Sequence, residues 1–179
     1  MQQAQLDLLV MAMQTGDKRA FSLLYRHYHQ DLRRFAAYLL MNPATAEDLV
    51  QNVWLKVGKR IARLDDPAVF TCWLYRAVRW EVLDYQRQAL RHKTQSADDE
   101  STMATISANP QLQQDVSSDL ATAMAQLAAN ERLVLQLHYL HELELSQIAL
   151  ITEVPVGTVK SRLHRARQQL QQKLQNNED

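Results

Sequence analysis

Apolar residues recur at helical spacing along most of the chain. Within residues 20–40 they return every third or fourth position, as on the buried face of an amphipathic helix. Asn42 and Pro43 then predict a helix boundary, because asparagine caps helices and proline suits the first helical turn. A second helix is predicted from the next apolar stripe, which comprises Leu49, Val50, Val53, Trp54 and Val57.

A third amphipathic segment, "FTCWLYRAVRWEVLDYQRQALRHK", follows a break in the pattern at "DDPAVF". Its arginines lie largely away from the apolar stripe, and Trp80 stands between them. Trp80 is therefore the better candidate for an exposed aromatic side chain. The residues predicted to face the core are Phe70, Trp73, Leu74, Ala77, Val78, Val82 and Tyr85.

Helical periodicity is lost over residues 94–117, which are polar and acidic. Such a composition cannot bury enough apolar surface to order the backbone. We therefore expect a flexible acidic linker at residues 94–118. The helical pattern returns from Asp119 and continues to Leu174.

The composition favours an all-α fold. The 179 residues include Gly 3 and Pro 4, too few for the turns of a sheet-rich protein. The single cysteine, Cys72, excludes an internal disulfide and a cysteine-cluster zinc site, and it suits a reducing cytoplasm. No segment approaches the ~20 apolar residues of a membrane span, so we expect a cytoplasmic protein without membrane insertion.

Positive charge is concentrated in particular segments although the chain is formally neutral. Residues 1–93 carry 14 Lys/Arg against nine Asp/Glu, whereas residues 94–130 carry five acids and no Lys or Arg. Residues 154–174 carry five cations and no carboxylate. Two basic segments that flank an acidic one indicate a nucleic-acid partner.

The last basic segment has the pattern of a helix-turn-helix, "LSQIALITEVPVGTVKSRL". Val156, Val159, Leu163, Ala166 and Leu170 form one apolar face of its second helix. Such a helix enters the major groove of DNA, and Thr158 at its start can cap the helix or contact phosphate. The alternative is a solvated amphipathic helix, although such helices usually mix charges of both signs. The polar face includes Lys160, Ser161, Arg162, His164, Arg165 and Gln168.

Four segments together resemble the extracytoplasmic-function sigma factors of the sigma-70 family. "VPVGTVKSRLHRARQQL" resembles their C-terminal signature, and "ERLVLQLHY" the helix that opens the same domain. "AEDLVQNVWLKV" resembles their polymerase-binding helix, and "FTCWLYRAVRWEVLDYQR" their promoter-melting helix. The likeness covers roughly residues 18–93 and 119–174. It implies two small helical domains, sigma-two (1–93) and sigma-four (119–179), joined by the linker.

The resemblance also implies partners and contact residues. The sigma-two domain would bind the β′ clamp helices of core RNA polymerase and melt the minus-ten promoter element, with base capture near "RLDDPAVF". The sigma-four domain would read the minus-thirty-five element and touch the β-flap. An anti-sigma factor would hold such a protein inactive. No cofactor, metal, small-molecule substrate or catalytic site of its own is expected.

Individual residues follow from that resemblance by position. Arg162 and Arg165 are the favoured contacts in the recognition helix. The polymerase-binding residues are Asp48, Gln51, Asn52 and Leu55; the minus-ten residues are Arg76, Arg79, Trp80 and Arg87; and the minus-thirty-five residues are Thr158, Lys160, Ser161, Arg162, His164, Arg165 and Gln168.

Several positions depart from the family pattern. Glu153 stands where glycine is common, and a positive φ there would cost glutamate about 1 kcal/mol. Glu142 and Glu144 replace common Gly and Ser, so that Ser146 could cap the following helix instead. Trp80 stands where the family usually has a small polar residue such as asparagine, which puts the usual minus-ten contacts in doubt at this point.

Two other classes of function remain open from the residues. A free-standing helix-turn-helix regulator would bind operator DNA as a dimer and would need no polymerase-binding strip. A metal-dependent enzyme would need a bound ion. His138, His141 and Glu142 lie within one helical turn, but their order is not H-E-x-x-H and the sequence shows no third ligand to go with them.

Overall fold

The fold is helical throughout the part of the chain that the structure describes. This computed structural model describes residues 2–40, 42–95 and 118–175, which form helices and turns and include no strand. The predicted all-α class is confirmed. None of the described helices is both long and apolar enough to span a membrane.

The chain divides into two compact units, Met1–Ala108 and Asn109–Asp179. The division falls inside the expected acidic linker, of which residues 96–117 lie outside the described residues. Helix extends into both ends of the expected linker, since one helix ends at Gln95 and the next begins at Ser118.

Four helices build the described part of the first unit. Two short 3-10 turns, Ile61–Arg63 and Pro67–Val69, connect the last two helices. Helix α2 packs mainly against α3, and α4 packs against both. Phe35, Phe70 and Leu74 are fully buried where these helices meet. The helices are α1 (Gln3–Gln14), α2 (Lys18–Leu40), α3 (Pro43–Arg60) and α4 (Phe70–Gln95).

Helix α1 was not predicted by the sequence reading. Leu6, Val10 and Met13 are buried, at the i, i+4, i+7 spacing of an amphipathic helix. Helix α1 packs these residues against α2 and the turn at Pro67–Val69. The signal is short and sits in a glutamine-rich segment, which makes it weak.

The boundary between α2 and α3 forms as predicted. The Asn42 side-chain oxygen accepts hydrogen bonds from the backbone N–H groups of Ala44 (3.1 Å) and Thr45 (3.2 Å), and Pro43 is the first helical residue. Such a cap contributes about 1 kcal/mol. The predicted stripe of α3 is buried in full, from Leu49 to Val57.

The C-terminal part of α4 differs from the prediction. Tyr85 was predicted in the core, but it is 43% exposed. Val82 is the last buried side chain described on α4, and the described side chains after it are half-buried or exposed, although Gln86 still donates to the Leu39 carbonyl of α2 at 3.4 Å. Cys72 lies in the core as predicted, and burial raises the pKa of its thiol. Tyr75, which was not predicted, is also buried.

Four helices also build the second unit over its described residues, 118–175. Helix α8 packs against each of the other three. Leu137, Ile148 and Val159 are buried at the centre. The helices are α5 (Ser118–Ala125), α6 (Ala129–Tyr139), α7 (Leu145–Thr152) and α8 (Val156–Gln175).

Two glutamates in this unit adopt the left-handed conformation that favours glycine. Glu142 has φ 52° in the link before α7, and Glu153 has φ 59° at the end of α7. The positive φ considered for Glu153 is therefore confirmed, and Glu142, which also stands where glycine is common, has it as well. The prediction that Ser146 caps α7 is wrong, because the residue that precedes the helix is Glu144, whose N–H donates to the Gln147 side chain at 2.9 Å.

Replacing Glu142 with glycine is expected to stabilise the second unit by about 1 kcal/mol, because glycine adopts positive φ without the steric cost that a side chain adds. Hydrogen exchange of the buried amides in α6 and α8 would measure this change for the second unit alone. Glu144→Gly is the matched control: Glu144 is also exposed but has φ −71°, so glycine there relieves no strain and should not raise stability. Equal effects of the two substitutions would contradict the strain at Glu142.

Candidate polymerase and DNA interfaces

The four predicted polymerase-binding residues lie together on one face of α3. Asp48, Gln51, Asn52 and Leu55 follow i, i+3, i+4 and i+7, and all four are exposed. Their helix is held by its opposite, buried face. Leu55 is the large apolar side chain of the group and is 66% exposed. A rigid helix thus presents three polar side chains around one apolar side chain.

Glu47 organises one edge of this face and was missed by the sequence reading of the site. Its carboxylate accepts a hydrogen bond from the Gln51 amide at 3.0 Å. It also lies 3.2 Å from His29 Nε2 and 3.8 Å from Arg33 Nε, both on α2. The ring of His29 stacks on Tyr25. Glu47 therefore links the exposed face of α3 to α2 and limits the positions that Gln51 can adopt.

A groove of about 450 Å³ lies between α3 and α4. Basic and aromatic side chains line it: α3 contributes Lys56 and Arg60, and α4 contributes Arg76, Trp73 and Trp80. One carboxylate, Glu81, also faces the groove and pairs with Lys56 at 2.5 Å. Cations beside exposed aromatic faces are what a strand of unpaired nucleotides requires.

Trp80 is the more exposed of the two tryptophans in the groove. It is 42% exposed, as the sequence predicted, and the Arg87 guanidinium lies 5.6 Å from its ring centroid. Trp73 is half-buried rather than part of the core. Arg76 is exposed and Arg79 half-buried. The predicted minus-ten residues thus lie on one helix, with Trp80 and Arg87 in contact with each other.

The segment "RLDDPAVF" is anchored by α1. The Gln14 side-chain amide donates to the carbonyl oxygens of Ile61 (3.1 Å) and Leu64 (2.6 Å). The Asp66 carboxylate accepts from the Ala68 N–H at 2.9 Å and so begins the second 3-10 turn. Gln14 could not be found from the sequence, because its partners are about 50 residues away along the chain.

The predicted recognition helix, α8, buries its apolar stripe as expected at Val159, Leu163 and Ala166. Val156 was placed on this stripe, but it is exposed because it is the first residue of the helix and precedes the packed turns. Thr158 does not cap α8, since the helix begins before it and its N–H donates to the Pro155 carbonyl at 2.9 Å.

The polar residues predicted to contact DNA are displayed to different degrees. Thr158 and Arg162 are half-buried at the edge of the packed stripe, so one of the two favoured arginines is less available than expected. Ser161 donates to the Thr158 carbonyl at 3.0 Å. The exposed members of the set are Lys160, Ser161, His164, Arg165 and Gln168.

Three cations of α8 are joined to the helices beneath it. Arg165 Nε lies 3.5 Å from a carboxylate oxygen of Glu131, which is buried at the start of α6. Arg167 donates to the Tyr139 hydroxyl at 2.6 Å, with its guanidinium 5.4 Å from the ring centroid. Lys173 donates to the Gln126 side chain at 2.6 Å. Some of the cations of α8 therefore also hold this helix to the rest of the second unit.

The candidate metal residues form no evident site. His138 lies in the last turn of α6, and its Nδ1 is 3.0 Å from the carbonyl oxygen of Leu143 in the link that follows. Among the described residues there is no group of three or more His, Cys, Asp or Glu side chains placed to hold an ion.

Known proteins are similar to this chain over most of its length. The Sigma-70 region 2 family model matches residues 24–92, and the Sigma-70 region 4 model matches residues 117–170. The chain is 29% identical over 176 residues to the ECF RNA polymerase sigma factor SigW of Bacillus subtilis, covering 92% of this chain and 94% of that protein. It is 32% identical over 154 residues to the ECF sigma factor SigL of Mycobacterium tuberculosis, covering 85% and 87%.

A solved structure agrees with these matches. The Bartonella quintana sigma factor RpoE, crystallised with the anti-sigma factor NepR, superposes with a TM-score of 0.70 at 26% identity, covering 87% of this chain and 96% of that one. The family models fall on the two units that contain the α3 face, the α3–α4 groove and the α7–α8 pair. The chain therefore belongs to the extracytoplasmic-function sigma factors of the sigma-70 family, which direct RNA polymerase to promoters.

Proposed function

We propose a division of the sigma-factor function between the two units. Residues 1–93 bind core RNA polymerase and open the minus-ten element, residues 119–179 read the minus-thirty-five element, and residues 94–118 join them. The observation that carries the proposal is the α3–α4 groove, where tryptophan and basic side chains meet next to an exposed helix face suited to protein docking. A free-standing DNA-binding regulator would need neither.

The α3 face is the proposed polymerase contact. Asp48, Gln51 and Asn52 supply hydrogen-bonding groups around Leu55, an arrangement that resembles the apolar centre and polar rim of protein interfaces. Docking against the β′ clamp helices would bury Leu55 without disturbing the core, because that core lies on the opposite side of α3.

The groove is the proposed site for the separated minus-ten strand. Arg76, Arg79 and Arg87 would neutralise phosphates, and Trp80 would stack on an unpaired base. Stacking on an aromatic side chain contributes about 1–3 kcal/mol per base, which offsets the loss of base stacking in the duplex. Where the family usually has a small polar side chain that can hydrogen-bond to a base, Trp80 would stack on the base instead. Because every base has an aromatic face, this contact would tolerate different bases.

The exposed face of α8 is the proposed contact with the minus-thirty-five element. Lys160, His164 and Gln168 project from this face, with Ser161 and Arg165 beside them. Lysine and arginine suit phosphates and guanine edges, and glutamine suits adenine edges. Thr158 and Arg162 lie at the edge of the packed stripe of α8, so we propose that they contact the phosphate backbone instead of the bases.

The catalytic chemistry is proposed to belong entirely to the polymerase, in the cytoplasm where that enzyme works.

The linker between two DNA-facing units also suggests how the protein is controlled. The RpoE relative is held by an anti-sigma factor, and we propose that a partner of this class also binds this chain and covers its DNA-facing or polymerase-facing surfaces.

Transcription by purified bacterial core RNA polymerase, with and without the full chain, tests the proposal across a genomic promoter library. Initiation from a small set of promoters that share two spaced elements is the expected result. Specific binding of duplex DNA by the chain as a dimer, without initiation, would favour the free-standing regulator instead.

Replacing Trp80 with alanine is expected to reduce open-complex formation about tenfold, in line with the loss of about one stacked base. Trp80→Phe should restore most of the activity, because it keeps an aromatic face. Permanganate reactivity of unpaired thymines at the promoters found above measures opening directly. Equal defects in the alanine and phenylalanine variants would contradict a stacking role, as would normal opening with alanine.

A further inference from the structure

Glu131 is a buried acid directly beneath the proposed recognition surface. It lies in the first turn of α6 and is 7% exposed. One carboxylate oxygen lies 3.5 Å from Arg165 Nε on α8. The other oxygen is buried, and no hydrogen-bond donor of the described residues reaches it.

This arrangement is poorly suited to stabilising the fold. A buried carboxylate loses its hydration, and one ion pair longer than a hydrogen bond does not offset that loss. A neutral side chain of the same shape would avoid the cost. The presence of a charged side chain therefore points to a use other than packing α6 against α8.

The contact fixes one edge of a DNA-facing arginine. Arg165 is 59% exposed, although its Nε edge faces Glu131. A guanidinium held at Nε has a fixed direction and leaves its two terminal amino groups available at the far end, where they match the paired acceptors of a phosphate or a guanine edge. An arginine without such a partner samples many rotamers, and ordering it on DNA costs binding free energy.

We infer that Glu131 is a positioning residue for promoter recognition: it orients Arg165 so that the terminal amino groups of the guanidinium meet the minus-thirty-five DNA. This inference rests on the proposed function of α8. It assigns to a buried acid a part in sequence-specific binding without contact with the DNA.

The sign of the effect separates positioning from simple electrostatics. Removing a carboxylate adds one positive charge to the DNA-binding unit, which by itself strengthens binding to every sequence. If Glu131 positions Arg165, its loss instead weakens binding to the preferred sequence. A purely structural role would change the stability of the unit and leave the preference among sequences unaltered.

The test uses the full chain bound to core RNA polymerase, with Glu131→Gln as the main variant. Glu142→Gln is the matched control, because it removes an exposed carboxylate of the same unit away from Arg165. Arg165→Ala reports whether the arginine contributes at all. The probes are a duplex selected by the wild-type complex from a random library and a duplex of scrambled sequence.

We expect Glu131→Gln to bind the selected duplex about tenfold more weakly, within the range of one well-formed side-chain contact to a base. It should bind the scrambled duplex as well as wild type or better. Glu142→Gln should leave the ratio between the two duplexes unchanged. In the nitrogen-15 spectrum of the full chain, the Nε–H signal of Arg165 should move and exchange faster in Glu131→Gln, with other signals of α6 and α8 retained.

Two results would overturn the inference in distinguishable ways. If Arg165→Ala binds the selected duplex more weakly while Glu131→Gln binds it as tightly as wild type or more tightly, the positioning role of Glu131 is rejected. The proposed role of α8 in DNA binding would then remain. An Arg165→Ala variant that binds both duplexes as wild type does would reject the DNA contact of Arg165 itself, and the inference with it.

Discussion

Replacing Leu55 with aspartate is expected to weaken binding to core RNA polymerase by about a hundredfold or more. Leu55 is the exposed apolar centre of the polar face on α3. Burying an unpaired carboxylate in place of Leu55 would cost about 3 kcal/mol of binding free energy. Since about 1.4 kcal/mol corresponds to a tenfold change in affinity, this cost amounts to about a hundredfold. The affinity of the full chain for fluorescently labelled core enzyme measures the change.

Leu8→Asp provides the matched control for this substitution. Leu8 is a leucine of the same unit and is 63% exposed, but it lies on α1. Both substitutions add the same charge at an exposed helical position, so neither should unfold the unit. Near-normal affinity is expected for Leu8→Asp. A larger loss in Leu8→Asp than in Leu55→Asp would place the polymerase contact on α1 instead of α3.

Replacing Phe35 with alanine is expected to lower the free energy of unfolding of the first unit by about 3–5 kcal/mol. Phe35 is fully buried, and its ring meets Tyr75 edge-on at 5.3 Å between centroids. Removing the ring leaves a cavity that the packed helices α2 and α4 cannot close. Since a domain has only about 5–15 kcal/mol of stability, the substitution would remove a large fraction of it.

Urea denaturation followed by tryptophan fluorescence measures this change, because all three tryptophans, Trp54, Trp73 and Trp80, lie in the first unit. Tyr85→Ala is the control: it also removes an aromatic ring, but one that is 43% exposed and lies beyond the last buried residue described on α4. It should shift the midpoint little. A shift as large as that of Phe35→Ala would return Tyr85 to the core, where the sequence had placed it.

Local patterns in the sequence predicted local features well. The cap at Asn42, the buried stripe of α3 and the positive φ at Glu153 each depend on residues within a few positions of one another. The exposure of Trp80 followed from its place off the apolar stripe of α4. In these cases the chemistry of one turn decides the structure.

Features that depend on distant parts of the chain were missed or misplaced. Tyr85 has the spacing of a core residue, but 43% of its surface stays exposed because it lies beyond the last buried residue described on α4. The pair of Glu131 and Arg165 joins residues 34 positions apart on different helices, and nothing in either local pattern indicates it. Periodicity says which side of a helix is apolar, but it does not say how far along the helix its neighbours extend.

The pairing of Glu131 with Arg165 also bears on how such a protein diverges after gene duplication. A copy can change its promoter preference by single substitutions at Lys160, His164 or Gln168, because these side chains are exposed on α8. A change at Arg165 leaves the buried Glu131 carboxylate without its ion pair unless Glu131 changes as well. We therefore expect new promoter preferences to arise through changes at Lys160, His164 or Gln168, whereas Arg165 and Glu131 should either both be kept or change together.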